Sequence, residues 1–444
     1  MKRSDLVIVG GSAAGVEAAI IGSRQHGIDN ITVIRREQKV MVPCGIPYIF
    51  GTLGSAEKNI LSDTLLGDTE LIIDEAVSID PKAQSIVTAG GKAIGYEKLI
   101  LATGSQPAAP PIPGRELDNV FTVRKDIEYL QSLERALDYA ETVVIIGGGF
   151  IGVEFADECK RRGLNVTIVE LLPHCLLLNC DEEFCIRAEE ELTKRGVKII
   201  CGNKVSAILG DHRVKEVELA TGERLKADVV IIAIGVAPDT RLAQQAGLEA
   251  GDFKGIKVDL YGRTSVPNIF AAGDCAEKYS FFTGKPVGLR LASIAAHEAR
   301  IAAINLFEPR VENRGAIGVF STKIGDIAFG AAGLTQRAAM EAGFDIVVGR
   351  AGAVDKHPGS MPGAQQLQVK LVFDRMSRRL IGGEASGGVS VGEVVNIVAT
   401  AIGNGMTAYQ IATLQIGTHP ALTASPIAYQ LIDAAERAFP SRDW

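Results

Sequence analysis

A chain of 444 residues exceeds the size at which one hydrophobic core stops growing, so its length predicts two to four domains. Its 46 Lys and Arg residues against 53 Asp and Glu residues give a net charge of −7, which argues against general attraction to nucleic acid. No apolar run reaches the roughly 18 residues of a membrane-spanning helix, and the start MKRSDLVIVGG lacks the pattern of a signal peptide. We therefore expect a cytoplasmic protein.

The first predicted element is the apolar strand DLVIVG at residues 5–10, followed by a glycine-rich turn, a helix of small residues and the second apolar run NITVIRRE. This β-turn-α-β pattern is typical of a dinucleotide-binding unit, in which a phosphate lies close to a helix N-terminus. Gly10 and Gly15 occupy the outer positions of the glycine pattern, Ser12 takes the middle position and Gly11 lies beside it. We predict that these four residues bind the cofactor.

The end of the second strand departs from the usual dinucleotide pattern. Arg35 stands where an acidic residue normally holds the ribose hydroxyls. Glu37 can reach the ribose instead, or Arg35 and Arg36 can contact phosphate. The sequence leaves these two interpretations open.

Cys44 follows in the segment KVMVPCGIPYIFG at residues 39–51. Pro43 and Pro47 restrict its backbone, and Gly45 permits close approach to a flat ring. A thiol in such a frame becomes a nucleophile when its surroundings stabilise the thiolate.

The other cysteines suggest no further chemistry. The chain contains no C-x-x-C pair, and a spacing of five residues does not bring side chains to one face of a helix. We expect reduced, partly buried thiols and no metal site. These six residues are Cys159, Cys175, Cys180, Cys185, Cys201 and Cys275.

A second copy of the dinucleotide unit spans residues 142–173. Gly147, Gly149 and Gly152 complete the pattern G-x-G-x-x-G directly after a strand, and Glu170 ends the next strand. A carboxylate there can hold ribose hydroxyls and repels a 2′-phosphate. The unit therefore predicts NADH rather than NADPH, with Glu154 on its helix as a further contact.

Three further segments complete the chain. YEKLILATGSQPAAPPIPG (96–114) and ADVVIIAIGVAPDT (227–240) each lead from an apolar strand into a glycine turn, and GIKVDLYGRTSVPNIFAAGDCA (255–276) includes Gly273 and Asp274. From about residue 315 the alternation of polar and apolar residues favours antiparallel strands, and the tail from residue 391 is helix-like. We predict a separate C-terminal α+β domain.

The two dinucleotide units, the ATGS turn (102–105) and the segment TSVPNIFAAGD (264–274) together resemble the pyridine nucleotide–disulfide oxidoreductases, over essentially the whole chain. The resemblance implies that the first unit binds FAD, that the second binds NADH and that Asp274 hydrogen-bonds the flavin side chain. Thr103, Gly104, Gly235 and Gly273 are the further cofactor contacts that we expect.

The implied fold class is α/β, with two Rossmann-like dinucleotide-binding domains and a C-terminal α+β dimerisation domain. We expect a discontinuous FAD-binding domain formed by residues 1–112 and 245–315, an NADH-binding domain at 113–244 and a dimerisation domain at 316–444. The resemblance also implies a homodimer with a shared active site.

Cys44 narrows the resemblance to one branch. Two-cysteine members carry C-x-x-x-x-C, whereas the position five beyond Cys44 is Ile49. The segment is similar to the single-cysteine branch of coenzyme A-disulfide reductases, NADH oxidases and peroxidases, and NADH-dependent persulfide reductases. In that branch the cysteine pairs with a sulfur from outside the chain or is oxidised to a sulfenate.

Departures from the patterns of this branch bear on the electron acceptor. Ala13 stands where peroxidases and water-forming oxidases often carry a histidine, and Arg24 matches an arginine that binds the phosphates of coenzyme A. Ser360 and Met361 replace the aromatic pair of coenzyme A-disulfide reductases. We therefore expect a coenzyme A persulfide or polysulfide as substrate, with coenzyme A disulfide and dioxygen as alternatives.

The role of His419 and the class of function are less closely defined by the sequence. His419, in QIGTHPALTAS, resembles the His-Pro of two-cysteine members, and we predict that it assists Cys44 across a dimer interface. The alternative from another class is a flavoprotein that transfers electrons to a protein partner or senses redox state.

Overall fold

The computed structural model describes residues 1–108 and 110–439, which divide into two units. Unit 1 consists of Met1–Pro111, Thr122–Tyr139 and Gly235–Ala316; unit 2 consists of Ile112–Phe121, Ala140–Ile234 and the described residues from Ile317 onward. The three-domain division that we predict is finer than these two units and stays a prediction.

The strands are short and distributed over both units. In chain order they are β1 (Lys2–Val9), β2 (Ile31–Arg35), β3 (Glu70–Ile73), β4 (Ala76–Asp80), β5 (Ser85–Thr88), β6 (Ala93–Leu101), β7 (Ser105–Pro107), β8 (Val120–Thr122), β9 (Thr142–Ile146), β10 (Asn165–Val169), β11 (Lys198–Ile200), β12 (Val205–Gly210), β13 (Val214–Leu219), β14 (Arg224–Lys226), β15 (Val229–Ile232), β16 (Val236–Pro238), β17 (Ile269–Ala271), β18 (Val319–Ile324), β19 (Ile327–Gly333), β20 (Ile346–Val354), β21 (Gln366–Asp374) and β22 (Leu380–Gly387).

The α-helices are, in chain order, α1 (Ala13–His26), α2 (Ile127–Asp138), α3 (Phe150–Arg161), α4 (Glu182–Lys194), α5 (Arg241–Gln245), α6 (Ala292–Ile304), α7 (Gln336–Glu341), α8 (Val391–Gly403), α9 (Ala408–Ala412) and α10 (Gln430–Ala438). Among the residues that the structure describes, no helix has both the length and the apolar composition needed to span a membrane.

The main sheet of unit 1 has the order β3-β2-β1-β6-β5-β4, and β17 pairs with β6. Strands β3, β2, β1, β6 and β17 pair in parallel, whereas β5 pairs antiparallel with β6 and with β4. The carboxyl-terminal half of β1 and the whole of β2 and β17 are buried, which is typical of parallel strands that are covered on both faces. Val9 pairs with both Ile34 and Leu101. The carboxyl ends of β1, β2 and β6 therefore meet at one edge, where open α/β sheets bind their ligands.

Unit 2 begins with a second sheet of the same kind, in the order β11-β10-β9-β15-β8. The register pairs Ile146 with Val169 and Ile232, which again aligns three carboxyl ends. A small antiparallel sheet, β12-β13-β14, shares a hydrophobic core with it, to which Val144, Val217 and other buried residues contribute.

The C-terminal part of unit 2 is an antiparallel sheet in the order β18-β19-β22-β21-β20, with α8 and α10 packed on it. Val395 and Val398 of α8 are buried, and so are Phe329 and Leu371 of the sheet. The antiparallel strands and the helical tail agree with the alternation in the sequence. The predicted fold class, two Rossmann-like sheets plus an α+β domain, is confirmed.

Candidate active site

The first glycine turn connects β1 to α1 at the carboxyl edge of the unit 1 sheet. Gly10 has φ 115°, and a Cβ at this position would lie 2.1 Å from the carbonyl oxygen of Ala102. A Cβ on Gly15 would lie 1.9 Å from the carbonyl oxygen of Gly10. Only glycine fits these two positions, and Ser12 provides the N-cap of α1 in an extended conformation. The turn thus presents bare backbone at a helix N-terminus, which is the requirement for a bound phosphate.

A cavity of about 270 Å³ opens beside this turn. Gly10, Arg35, Glu37, Asp74 and Arg241 are among its lining residues. The cavity lies at the end of β2, where dinucleotide-binding units place the adenosine ribose.

Arg35 directs its guanidinium to protein groups. It donates to both carboxylate oxygens of Asp63, at 2.6 and 2.8 Å, and to the carbonyls of Glu37 and Gln38 at 2.8 and 3.0 Å. This pairing holds the pKa of Asp63 below its ordinary value. The aliphatic part of Arg35 packs on Gly11, where a Cβ would lie 2.6 Å from Cδ of the arginine. Glu37 lines the cavity from the same strand end, so the geometry favours it over Arg35 as the ribose contact.

A short antiparallel pair, β7 with β16, continues from the ATGS turn. Thr103 donates its hydroxyl to the carbonyl of Asp239 at 2.6 Å, and the amide of Asp239 donates to the carbonyl of Gly104 at 2.9 Å. The carbonyl of Gly235 accepts from the amide of Ala108 at 3.0 Å. Hydrogen bonds between the segments of β7 and β16 in unit 1 therefore involve all three of the predicted contacts Thr103, Gly104 and Gly235.

A buried ion pair holds the turn at Gly273. Glu298 on α6 accepts from the amide of Gly273 and from the Lys278 ammonium, both at 2.9 Å. Lys278 also donates to the carbonyl of Gly273 at 2.6 Å. Burial raises the pKa of Glu298, while the Lys278 charge opposes that rise. The amide and the carbonyl of Gly273 are thus both hydrogen-bonded to charged side chains that are almost completely buried.

Asp274 follows this turn, and its carboxylate has polar neighbours from two other segments. Its Oδ2 accepts from the Ser105 hydroxyl at 2.7 Å and lies 3.7 Å from the Lys125 ammonium. A fixed carboxylate with further acceptor capacity suits the predicted hydrogen bond to a flavin side-chain hydroxyl.

Cys44 lies in a short 3₁₀ turn, Pro43–Gly45, that is followed by another, Pro47–Phe50. Its side chain is exposed, whereas Cys201 is partly exposed and the other five cysteines are buried. A Cβ on Gly45 would lie 1.9 Å from Oδ1 of the buried Asn59, which donates Nδ2–H to the carbonyl of Val42 at 2.9 Å. The side chain of Asn59 thus fits against Gly45 and fixes the segment that carries the thiol.

The second glycine turn, between β9 and α3, repeats the first. A Cβ on Gly152 would lie 1.9 Å from the carbonyl oxygen of Gly147, whereas Gly149, the N-cap of α3, faces open space. Glu170 ends β10, and its carboxylate accepts from the amides of Gly148 and Leu172. The carboxylate is therefore fixed beside the turn, as the NADH prediction requires.

Glu154 lies on α3, and its Oε1 accepts from the Thr322 hydroxyl at 2.7 Å. Burial raises the pKa of Glu154 to about 7, the Thr322 hydrogen bond opposes the rise, and the Glu158 charge adds to it. A carboxyl group that changes protonation near neutral pH can donate as well as accept a hydrogen bond.

Two further predicted residues are exposed. Arg24 is exposed in the last turn of α1. His419 is exposed in unit 2, where its Nδ1 accepts from the amide of Ala421 at 3.2 Å and its amide donates to the Thr423 hydroxyl at 3.0 Å. Cys44 belongs to unit 1, so the role of His419 in catalysis stays a prediction.

The residues that position the predicted ones were not predicted from the sequence. Ser105 has a signal, because it belongs to the ATGS turn itself. No sequence pattern marks the other four positioning residues, because each is a single side chain that meets its partner only through tertiary packing. These residues are Asn59, Asp63, Lys278 and Glu298.

Comparison with known proteins gives consistent matches along the chain. The model of the pyridine nucleotide-disulphide oxidoreductases matches residues 4–299, and that of the dimerisation domain of the same family matches residues 319–427. An NADH oxidase of Methanocaldococcus jannaschii is 30% identical over 97% of this chain and 98% of its own.

Two further relatives carry sulfur-related names. An NAD(P)H coenzyme A polysulfide/persulfide reductase of Pyrococcus horikoshii is 32% identical over 87% of this chain and 88% of its own. The solved structure of an NAD-dependent persulfide reductase from A. fulgidus superposes with a TM-score of 0.90 at 30% identity, covering 99% of this chain and 83% of that one.

Proposed function

This chain belongs to the pyridine nucleotide-disulphide oxidoreductase family, and from this premise we propose that it oxidises NADH and reduces a low-molecular-weight persulfide or polysulfide at Cys44. The observation that carries the proposal is the exposed thiol of Cys44 in its rigid turn, among seven cysteines of which five are buried.

The family binds FAD, and the residues of unit 1 fit that cofactor. The bare backbone of Gly10 and Gly15 suits the pyrophosphate, the neighbouring cavity with Glu37 suits the adenosine, and Asp274 suits the flavin side chain. When bound, FAD supplies the two-electron chemistry that connects a pyridine nucleotide to a sulfur–sulfur bond.

The second turn would hold NADH, with the pyrophosphate at Gly147–Gly149 and the ribose at Glu170. The fixed carboxylate of Glu170 would repel the 2′-phosphate of NADPH, which supports NADH as the preferred donor. Glu154 supplies a hydrogen-bonding group on α3.

Cys44 performs the sulfur chemistry. Its thiolate attacks the terminal sulfur of a persulfide RSSH, the thiol RSH leaves, and the transferred sulfur forms a new sulfur–sulfur bond on Cys44. That bond then accepts the electron pair that originates in NADH, which releases hydrosulfide and restores the Cys44 thiolate. The sum is NADH + H⁺ + RSSH → NAD⁺ + RSH + H₂S.

Sequence features and relatives support the persulfide as acceptor. Ser360 and Met361 replace the aromatic pair expected for coenzyme A-disulfide reduction, and a terminal persulfide sulfur is small. The P. horikoshii and A. fulgidus relatives are named for persulfide reduction. Coenzyme A persulfide is our preferred form, with the exposed Arg24 as a contact for its phosphates.

NADH oxidation by dioxygen is the second candidate, because the M. jannaschii relative is named an NADH oxidase. This reaction would require Cys44 to cycle through a sulfenate. Ala13, in place of a histidine, argues against it. Coenzyme A disulfide remains a third acceptor to test.

We further propose a homodimer, supported by the match to the family's dimerisation domain, and a location in the cytoplasm. His419 would then act on Cys44 of the partner subunit.

Anaerobic steady-state kinetics tests the proposal directly. NADH is held at saturation, and coenzyme A persulfide, polysulfide, coenzyme A disulfide and peroxide are compared, with an aerobic assay for dioxygen. We expect the highest kcat/KM with a persulfide or polysulfide, together with stoichiometric release of hydrosulfide. A higher kcat/KM with dioxygen would overturn the choice of acceptor.

A further inference from the structure

A cluster of soft ligands lies in unit 2, outside the proposed catalytic residues. The Sγ atoms of Cys175 and Cys201 and a carboxylate oxygen of Glu189 all lie within 4.8 Å of one another. Cys175 follows β10 in the chain, Glu189 lies on α4 and Cys201 directly follows β11. Three separate elements thus bring two thiols and one carboxylate to one point.

We propose that Cys175, Cys201 and Glu189 form a binding site for a thiophilic divalent cation, of which zinc is the representative. The inference goes beyond the proposed reaction, which uses none of these residues. In the sequence, Cys175, Cys180 and Cys185 recur at a regular spacing, but Cys180 and Cys185 do not belong to this site. Cys201 lies near Cys175 instead, because β10 and β11 are neighbours in the parallel sheet.

The ligand types select the metal. Thiolates prefer zinc and other soft cations over magnesium and calcium, which require oxygen ligands. Two thiolates and one carboxylate would bind zinc with three protein ligands and leave a fourth, open position for water or another ligand.

The carboxylate is already oriented for this role. One oxygen of Glu189 accepts from the amide of Cys175 at 2.8 Å and from the Cys201 thiol at 3.5 Å, and the other lies 3.1 Å from Nδ1 of His174. Nε2 of His174 lies 3.3 Å from a carboxylate oxygen of Glu182. Such outer partners fix metal ligands in place and strengthen binding.

The site also adjoins the second glycine turn. A Cβ on Gly148 would lie 2.6 Å from Sγ of Cys175, and the amide of Leu176 donates to the carbonyl of Gly148 at 2.8 Å. A cation held by Cys175 would therefore lie immediately behind the turn that would bind NADH.

The test measures zinc binding by the purified full-length protein under reducing, anaerobic conditions. Bound zinc is counted by elemental analysis, and its affinity is measured by competition with a chromophoric chelator. The variants are Cys201→Ser, Glu189→Gln and, as the matched control, Cys44→Ser, which removes the exposed thiol of unit 1. Circular dichroism establishes that each variant is folded.

We expect one zinc ion per chain in the wild type, a loss of affinity of about 100-fold or more in Cys201→Ser, a smaller loss in Glu189→Gln and no change in Cys44→Ser. Zinc binding that survives in Cys201→Ser or disappears in Cys44→Ser would overturn the proposal. A reduced, folded wild-type protein that binds no zinc would also overturn it.

Discussion

The replacement Gly45→Ala tests how the chain positions Cys44. The added methyl would lie 1.9 Å from Oδ1 and 2.9 Å from Cγ of Asn59, whereas ordinary contact begins at 3.4 Å. Because Asn59 is only 4% exposed and donates to the carbonyl of Val42, its carboxamide cannot move without losing that hydrogen bond. Either Asn59 or the turn that carries Cys44 must therefore shift.

The expected decrease in the free energy of unfolding combines the cost of the steric clash with the cost of the lost hydrogen bond. Overpacking a well-packed site costs about 1–3 kcal/mol, and a lost hydrogen bond costs about 0.5–1.5 kcal/mol. We expect the free energy of unfolding, measured with denaturant, to fall by about 2–4 kcal/mol. Because a displaced reacting atom is costly, we also expect kcat/KM for a persulfide to fall at least about tenfold. The rate at which NADH reduces the bound flavin should stay within about twofold.

The double variant Gly45→Ala with Asn59→Ala is the control, because it removes both atoms that clash. In the Asn59→Ala background, Gly45→Ala should lower the free energy of unfolding by less than about 1 kcal/mol. The double variant should therefore lose less stability than the sum of the two single variants. If Gly45→Ala leaves stability and turnover unchanged, or if removing the Asn59 carboxamide gives no rescue, the described frame of Cys44 is wrong.

Three further replacements test other parts of the site. Lys278→Met leaves the buried Glu298 without its cation, so the free energy of unfolding should fall by about 3–5 kcal/mol, and the double variant with Glu298→Gln should recover part of that loss. Glu170→Gln removes the charge that opposes a 2′-phosphate, so the ratio of kcat/KM for NADH over NADPH should fall at least about tenfold; an unchanged ratio would contradict the assignment. Glu154 has a pKa of about 7 in the folded protein against an ordinary 4.5, so the stability it contributes is present below pH 4.5 and is lost as the pH rises to about 7. The difference in unfolding free energy between wild type and Glu154→Gln should therefore fall by about 3 kcal/mol across that window, and a flat difference would contradict the raised pKa.

Features that depend on local backbone were predictable from the sequence. Both glycine turns, the strand ends beside them and the turn at Gly273 follow from short-range patterns, because a close backbone approach leaves a requirement for glycine at fixed spacing. The alternation after residue 315 likewise predicts the antiparallel strands β18 to β22.

Features that depend on tertiary packing were not predictable. The sequence left open whether Glu37 reaches the ribose or Arg35 contacts phosphate, and the structure pairs the Arg35 guanidinium with Asp63, which follows 28 residues later without any pattern. The approach of Cys201 to Cys175 depends on the pairing of β10 with β11, which no spacing records. Partners of this kind are set by strand order and side-chain packing rather than by local sequence.

The central claim is that Cys44 transfers the electron pair to an external sulfur. Anaerobic stopped-flow measurements on wild type and Cys44→Ser separate the two halves of the reaction, with flavin absorbance and hydrosulfide release as the signals. The account predicts that Cys44→Ser still reacts with NADH at a rate within about threefold of the wild type, but that release of hydrosulfide from a persulfide falls at least about 1,000-fold. Undiminished hydrosulfide release by Cys44→Ser would contradict the account.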